Sequence, residues 1–471
     1  MHDLKRAYFR ADLAGCAKLR EKGTNTDEEF HLMQYLAPEY ICTPAGFQAG
    51  MLVTISEDGR IASITQRSSA DLGQPGTFSD ASNVELLPGI ALLPGFVNVH
   101  SHVFQRALRG HTHRPLSAKD TFWTWRNAMY AQVQQLTPES LYAVALTTYH
   151  EMLAAGYTSV GEFHYVHHQP GGQPYPAVNA MSDAILQAGK DAGIRVVLLM
   201  TAYAQAGFQQ PPTEGQLRFC DASVDAYLAR VEALRLKGVH IGVAPHSVRA
   251  VPEGWLRAIA DYSRRYHLPL HIHADEQVAE IEQCQAAYQC TPIELLERLG
   301  ALSLHTTIVH ATHANAEEIA LLAQRDCTVC VCPTTEGDLG DGIAPYAALL
   351  AANIPLTIGS DSNTRLDPIE ELRWAEYSAR MRYQRRRVLV ADDMASPGPL
   401  LLDYGTHLGA AALGLETGTI APGMLADFIA VDINHPTLAG WSAEDFLDVL
   451  FFGASSAVIK QTWVQGRKTL G

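Results

Sequence analysis

No apolar run in this 471-residue chain approaches the roughly 20 residues that a membrane helix needs, so no membrane association is expected. The first 23 residues alternate charges with short side chains and lack the apolar core of a secretory signal. Cysteine is sparse: eight in a chain of this length make no disulfide framework, and the expected compartment is the reducing cytoplasm. Positive charge is also short. Thirty-five Lys and Arg against 50 Asp and Glu give a formal charge of −15, which argues against nucleic acid as a partner. A few local arginines can still serve an anionic small molecule. What remains, 47% hydrophobic and 18% charged residues, is an ordinary soluble composition, long enough for a barrel-sized domain plus an accessory one.

The first 36 or so residues are polar and weakly periodic, and read as an N-terminal extension. From Tyr40 the text turns to short strands. Tyr40–Thr43, Gly50–Ile55 and Arg60–Ile64 follow one another, with Glu57-Asp58-Gly59 as a hairpin turn. The C-terminal stretch returns to β text at 418–432 and 457–468. The two ends together predict one small β-sandwich domain, 37–88 with 415–471, split around a central domain at 89–414. That central text alternates β runs with helical segments. The strands are expected at Leu92–His102, Thr158–Tyr165, Arg195–Tyr203, His240–Val248, Leu268–Glu276, Thr306–His313, Cys327–Thr335 and Ile354–Asp361. Helices are expected at Pro138–Met152, Pro252–His267, Asn315–Arg325 and Pro368–Arg387. Eight β runs threaded with helices predict an α/β fold, a (β/α)8 TIM-like barrel.

Barrel enzymes carry their chemistry at the C-terminal ends of the strands, and the polar residues here collect there. His100 and His102 end the first run at i and i+2, on one strand face. Glu162, His164 and Tyr165, then His246, then His271, His273 and Glu276, His310 and His313, and Asp361 end later runs. Imidazoles and a carboxylate converging on a barrel rim make a divalent metal site with room for a water. Period-two alternation leaves His271 and His273 equivalent, and Asp361 alone reads equally well as a helix cap. Glu276 stands three residues beyond His273, within reach of a proton-shuttling role, and His310 could polarise a reacting centre or deprotonate a water. The run Cys327-Thr-Val-Cys330-Val-Cys332 has no second ligand pair at finger spacing and reads as a strand.

With these residues in hand, the chain resembles the amidohydrolase superfamily over roughly residues 40–465. The likeness is carried by Pro94-Gly before the first histidines, by the order His-x-His, His-x-x-Glu, His, Asp, and by Pro422-Gly-Met-Leu-Ala-Asp427. Within it, the local text is most similar to the formimidoylglutamate deiminases. That likeness rests on His100-Ser-His-Val-Phe-Gln105, Phe122-Trp-Thr-Trp-Arg126, Glu162-Phe-His-Tyr165, His246-Ser-Val-Arg249, His271-Ile-His-Ala-Asp-Glu276, Val309-His-Ala-Thr-His313 and Thr335-Glu-Gly-Asp-Leu-Gly-Asp-Gly342.

The resemblance implies one divalent ion, zinc with iron as the alternative, held by His100, His102, His273 and Asp361. Strand four contains no lysine of the kind that dinuclear relatives use. The implied proton-handling residues are Glu276, His310 and Asp361, and the implied substrate pocket is Gln105, Arg126, Tyr165, His246 and Arg249. The implied reaction is deimination of N-formimino-L-glutamate to N-formyl-L-glutamate and ammonia, as in histidine degradation, by a homodimer. Two arginines suit a dicarboxylate, because a planar guanidinium pairs carboxylates bidentately. Asn363, where the family commonly has histidine, and Asp275 beside Glu276 are departures that bear on substrate choice. The alternatives are N-formimino-L-aspartate, or a nucleobase or triazine ring on the same metal site. A non-catalytic barrel relative would carry no stoichiometric metal.

Overall fold

A computed structural model describes residues 33–67, 84–110, 122–390 and 394–469. The expected N-terminal extension lies, as far as residue 32, outside the described residues. Strand β1 (Gln34–Thr43) begins six positions before the expected Tyr40 and is followed by β2 (Gly46–Ala49), β3 (Met51–Ile55), β4 (Ile61–Gln66) and β5 (Val84–Pro94). Gly59, at φ +76°, makes the turn between β3 and β4. Strand β5 is the spine of this sheet. It pairs parallel with β1 on one side, and Gly95 carries the chain directly from it into the barrel. A Cβ at Gly95 would meet the Thr158 side chain at 2.2 Å, so only glycine fits the join.

The barrel strands are β6 (Phe96–Ser101), β7 (Tyr157–His164), β8 (Arg195–Ala202), β9 (Ile241–Pro245), β10 (Leu270–Ala274), β11 (Thr306–His310), β12 (Thr328–Val331) and β13 (Leu356–Ile358). All eight are parallel neighbours in chain order, as the alternating text predicts. They are buried on both faces, because helices cover the outside and side chains fill the inside. The circle closes through two backbone hydrogen bonds between the ends of the first and last strands. His102 N donates to Asp361 O and Asp361 N to His100 O, each at 2.9 Å.

The covering helices follow their caps. Thr137 caps Pro138–Ala154 with Ser140 in a reciprocal box, and Asn315 does the same for Ala316–Gln324 with Glu318. The helix expected to run to Arg387 ends at Tyr383, where Gln384 turns left-handed at φ +51° and the arginine run 385–387 leaves the helix.

After the barrel the chain returns to the first sheet with β14 (Phe428–Asp432), β15 (Ile459–Val464) and β16 (Arg467–Lys468). Of the β text expected at 418–432, the early part is instead a turn through Gly418 and Gly423, both at positive φ. Strand β14 pairs antiparallel with β5, so the described segments before and after the barrel share one mixed sheet of eight strands. Its own core includes Ile41, Val53, Leu92, Phe428 and Trp463. Arg195 of β8 forms a buried bidentate pair with Asp427, tying this sheet to the barrel. No helix among the described residues is long and apolar enough to cross a membrane.

Candidate metal centre and substrate pocket

The closure of the barrel builds the centre. Asp361 sits at φ +47° just after Gly359, where a Cβ would come within 2.7 Å of the His100 Cβ. Glycine lets the last strand press against the first, and the left-handed turn aims the Asp361 carboxylate at the axis. His100 and His102 reach the same point from β6 and His273 from β10. One donor atom from each of the four lies within 4.8 Å of all the others, and all four residues are buried.

Hydrogen bonds fix the tautomers. His102 Nδ1 donates to the Phe163 carbonyl and His273 Nδ1 to the His246 carbonyl, both at 2.9 Å, which leaves each Nε2 as a lone pair. These two nitrogens face His100 Nε2 at 3.1 Å each, and Asp361 Oδ1 stands 3.4 and 3.3 Å from His100 and His102 Nε2. His100 can give a proton to only one of them, so hydrogen bonding alone leaves lone pairs facing each other. Bonds of 2.0–2.1 Å around a tetrahedral ion space its ligands about 3.3 Å apart, which matches. Burial pulls the His100 imidazole down to about 3 and holds those of His102 and His273 low, so all three are neutral, the ligating form. Burial would raise the Asp361 carboxyl, but the His100 hydrogen bond and the neighbouring imidazoles hold it below the carboxylate range.

The two histidines of β10 separate here. His271 lies deeper, its Nε2 spent at 3.2 Å on the Ala412 carbonyl, and does not join the group. Other strand-end residues are also occupied elsewhere. Glu162 accepts from Ser101 Oγ and Val103 N and steadies the end of β6, His313 bonds the Asp341 carbonyl, and His164 packs against His167. Of the three cysteines in the run around β12, Cys332 lies with His310 and Asp361 in a second close group.

Beside the four donors, Glu276 Oε1 stands 3.9 Å from His310 Nε2, which is itself 3.8 Å from Asp361 Oδ2. Burial raises the Glu276 carboxyl, and Asp361 adds to this against the opposing pull of His310. Burial pulls His310 down, yet Glu276, Glu336 and Asp361 hold it well above the usual imidazole range. His310 Nδ1 lies 3.3 Å from Glu336, a buried carboxylate that also accepts from Cys332 N at 2.9 Å. Glu336 is given no role by the sequence reading, although it stands one residue beyond the expected run Cys327–Thr335 and five beyond the end of β12. Left-handed φ at Asp275, His310 and Asp361 concentrates backbone strain around this centre.

All five expected pocket residues, Gln105, Arg126, Tyr165, His246 and Arg249, line one cavity with His102, His273, Glu276, His310 and Asp361. Gln105 Nε2 donates to Tyr165 Oη at 3.0 Å, and its Oε1 is buried without a partner among the described residues. His246 stacks on His273 with ring centres 4.9 Å apart, and burial, reinforced by Arg249, keeps it neutral. Arg126 lies 4.5 Å over the Trp123 ring, and Arg249 5.4 Å from the same ring. In both arginines Nε and Nη1 are buried with no hydrogen-bond partner among the described residues. Four unmet guanidinium nitrogens in one cavity are costly unless an anion completes them.

The cavity also takes in Phe122, Trp125, Tyr130 and Tyr203. Tyr130 is one helical turn beyond Arg126 and Tyr203 follows the end of β8, so their positions carried a signal that sequence reasoning passed over. Glu280, likewise missed, is buried near Arg249, and burial pushes its carboxyl up to about 7.

Comparison with known proteins places this arrangement. The sequence model described as "Amidohydrolase family" matches residues 91–469. The chain is 39% identical over 442 residues to the formimidoylglutamate deiminase of Pseudomonas aeruginosa, covering 92% of this chain and 94% of that one. It is 29% identical to the 8-oxoguanine deaminase of the same organism, over 86% of both. Among solved structures, an amidohydrolase from Brucella melitensis superposes with a TM-score of 0.83 at 33% identity, over 92% of this chain and 94% of that one. A zinc-bound adenosine deaminase from Xanthomonas campestris gives 0.76 at 23% identity over 92% of both, a likeness of fold.

Proposed function

The chain belongs to the amidohydrolase family, and we propose that it hydrolyses N-formimino-L-glutamate to N-formyl-L-glutamate and ammonia. The observation that carries this reading is the set of unmet Arg126 and Arg249 nitrogens in the cavity that also holds the four-donor group. A nucleobase or triazine ring would use the aromatic lining but would leave both guanidinium groups without a counter-charge. The named likeness to a formimidoylglutamate deiminase supports the same choice.

In this reading Arg126 and Arg249 bind the two carboxylates, and Gln105, Tyr165 and His246 orient the chain between them. His100, His102, His273 and Asp361 hold a single divalent ion, which we take to be zinc. When bound, such an ion supplies Lewis-acid polarisation and lowers the pKa of a water to about 7. The Glu276 carboxylate faces the cationic formamidine, stabilises its charge, and carries a proton from the attacking water to the departing amino nitrogen, so that ammonia leaves. His310 and Asp361 flank the position from which a proton must be removed, and Glu336 holds His310 in place.

The proposal takes residues 89–414 as the catalytic barrel, 37–88 with 415–471 as its supporting β-domain, and a cytoplasmic homodimer as the working form. The test is a coupled ammonia assay on the zinc-loaded protein with N-formimino-L-glutamate, N-formimino-L-aspartate, guanine and cytosine. Turnover of the glutamate derivative above the others is expected. Release of ammonia from a nucleobase and none from the formimino acids would overturn it.

A further inference from the structure

Two tyrosine hydroxyls and one amide in the cavity wall are linked in a way that constrains where their protons go. Gln216 Oε1 accepts from Thr213 N at 3.0 Å and from Thr213 Oγ1 at 2.7 Å. A backbone N–H can only donate, so this end of the amide is oxygen and the other is NH₂. That NH₂ donates to Tyr203 Oη at 2.8 Å and Tyr130 Oη at 3.2 Å. Both phenol oxygens are therefore acceptors toward Gln216. The two hydroxyls are 3.3 Å apart, so one can donate to the other. The second proton then has no acceptor among the described residues.

Both rings line the cavity that holds Arg126 and Arg249. Tyr203 is locked between His246 and Phe219, with ring centres 4.9 and 5.7 Å away, so its hydroxyl is not free to swing out. The arithmetic of donors and acceptors leaves one O–H of the pair without a partner among the described residues, in the wall of the cavity that holds the two arginines.

We propose that Tyr130, Tyr203 and Gln216 form a third, uncharged arm of the carboxylate subsite, with Gln216 as the positioning residue that turns the phenols into donors. This rests on the dicarboxylate reading above. An uncharged donor adds a directed bond to a carboxylate oxygen without adding charge repulsion between the two guanidinium groups, and so sharpens the selection of one dicarboxylate over another.

The arm has a signature that a purely structural role lacks. Removing one hydroxyl frees the other to point into the cavity, so single substitutions are buffered and the double one is not. Tyr130→Phe and Tyr203→Phe should each change KM for N-formimino-L-glutamate by less than about threefold, and the pair should raise it about tenfold or more. Gln216→Glu keeps the shape but draws both phenol protons onto its carboxylate, and should match the double variant. Calorimetric binding of N-formyl-L-glutamate to the same zinc-loaded proteins gives a second readout independent of turnover. A double variant that keeps its KM and its affinity within twofold, with an unchanged melting temperature, overturns the arm while leaving the function intact. Wild-type protein that neither turns over the substrate nor binds a dicarboxylate overturns both.

Discussion

Replacing Arg249 by methionine should push activity and stability in opposite directions. Arg249 is only 7% exposed, and its Nε and Nη1 have no partner among the described residues. Its energetic return comes when a carboxylate arrives. A charge-assisted hydrogen bond is worth about 1.5–3 kcal/mol, so losing one lowers kcat/KM by about 10- to 150-fold. The substrate carboxylate does not change during the reaction, so the loss should fall on KM rather than kcat. In the free protein the same substitution removes a buried, incompletely satisfied cation and substitutes an apolar chain of similar length. Replacements of that kind are neutral or stabilising. Glu280, left without its neighbouring charge, already has its carboxyl pushed up to about 7 and can take up a proton instead of remaining as a bare anion. Steady-state ammonia release and thermal denaturation, with and without N-formyl-L-glutamate, read both effects. Arg126→Met should behave alike, and the double variant should lose less than the sum, because both groups lie over the one Trp123 ring. If Arg249→Met leaves KM unchanged and lowers the melting temperature by several degrees, the arginine is a packing residue and the dicarboxylate argument fails.

Glu276→Gln should lower kcat by about 10²–10⁴-fold while metal content, measured by elemental analysis, stays at wild-type stoichiometry, because Glu276 lies outside the four-donor group. Chelation should abolish turnover and lower the melting temperature, both restored by zinc, since removal leaves imidazole nitrogens facing one another at 3.1 Å. Asp427→Ala strips the acceptor from Arg195, Thr417 Oγ1 and Gln465 N at once and should cost about 3–5 kcal/mol in urea unfolding; a cost below about 1 kcal/mol would mean the β-sheet does not depend on this tie to the barrel. Glu371 tests the pH response. Burial raises its carboxyl from 4.5 to about 8 against the opposing hydrogen bonds of Thr334. The folded form therefore keeps a proton that the unfolded chain sheds first, and this group's contribution falls as pH rises from about 4.5 to 8 and then levels off. Glu371→Gln should remove that slope, gaining on the order of a few kcal/mol on wild type at pH 8 relative to pH 5.

Much of the architecture was legible because its signals are local. Short Val- and Ile-rich runs between capped helices mark a barrel, and polar residues gathered at one end of those runs mark its active rim. His100, His102, His273, Glu276, His310 and Asp361 meet there because each ends a strand. What was not legible depends on depth or on loops. Strand periodicity makes His271 and His273 equivalent, and only the Ala412 carbonyl, which takes up the deeper imidazole, separates them. Gln216 lies in a short 3-10 segment with no barrel period to mark it, and its role exists only because Tyr130 and Tyr203 arrive from two other elements. The helix from Pro368 stops at Tyr383 because one residue, Gln384, turns left-handed, a choice its sequence does not announce.

The donor group and the closure of the barrel are a single structural event. His102 N and Asp361 N make the two hydrogen bonds that join the last strand to the first, and the side chains of those same two residues carry donors. Gly359 permits both, since any Cβ there would drive the strands apart at His100. A chain with this glycine, this aspartate and this pair of histidines in register therefore cannot close its sheet without bringing an imidazole pair and a carboxylate to one point. His273 enters from across the barrel, its ring fixed by a backbone carbonyl of β9's following residue, His246. That same His246 ring lines the cavity that holds Arg126 and Arg249, so a single residue links the four-donor group to the arginines. In the proposed reading a substrate held by its carboxylates at the arginine end of this one cavity presents its far end to the donors, which is the requirement for hydrolysing a small, linear, doubly anionic amidine rather than a ring.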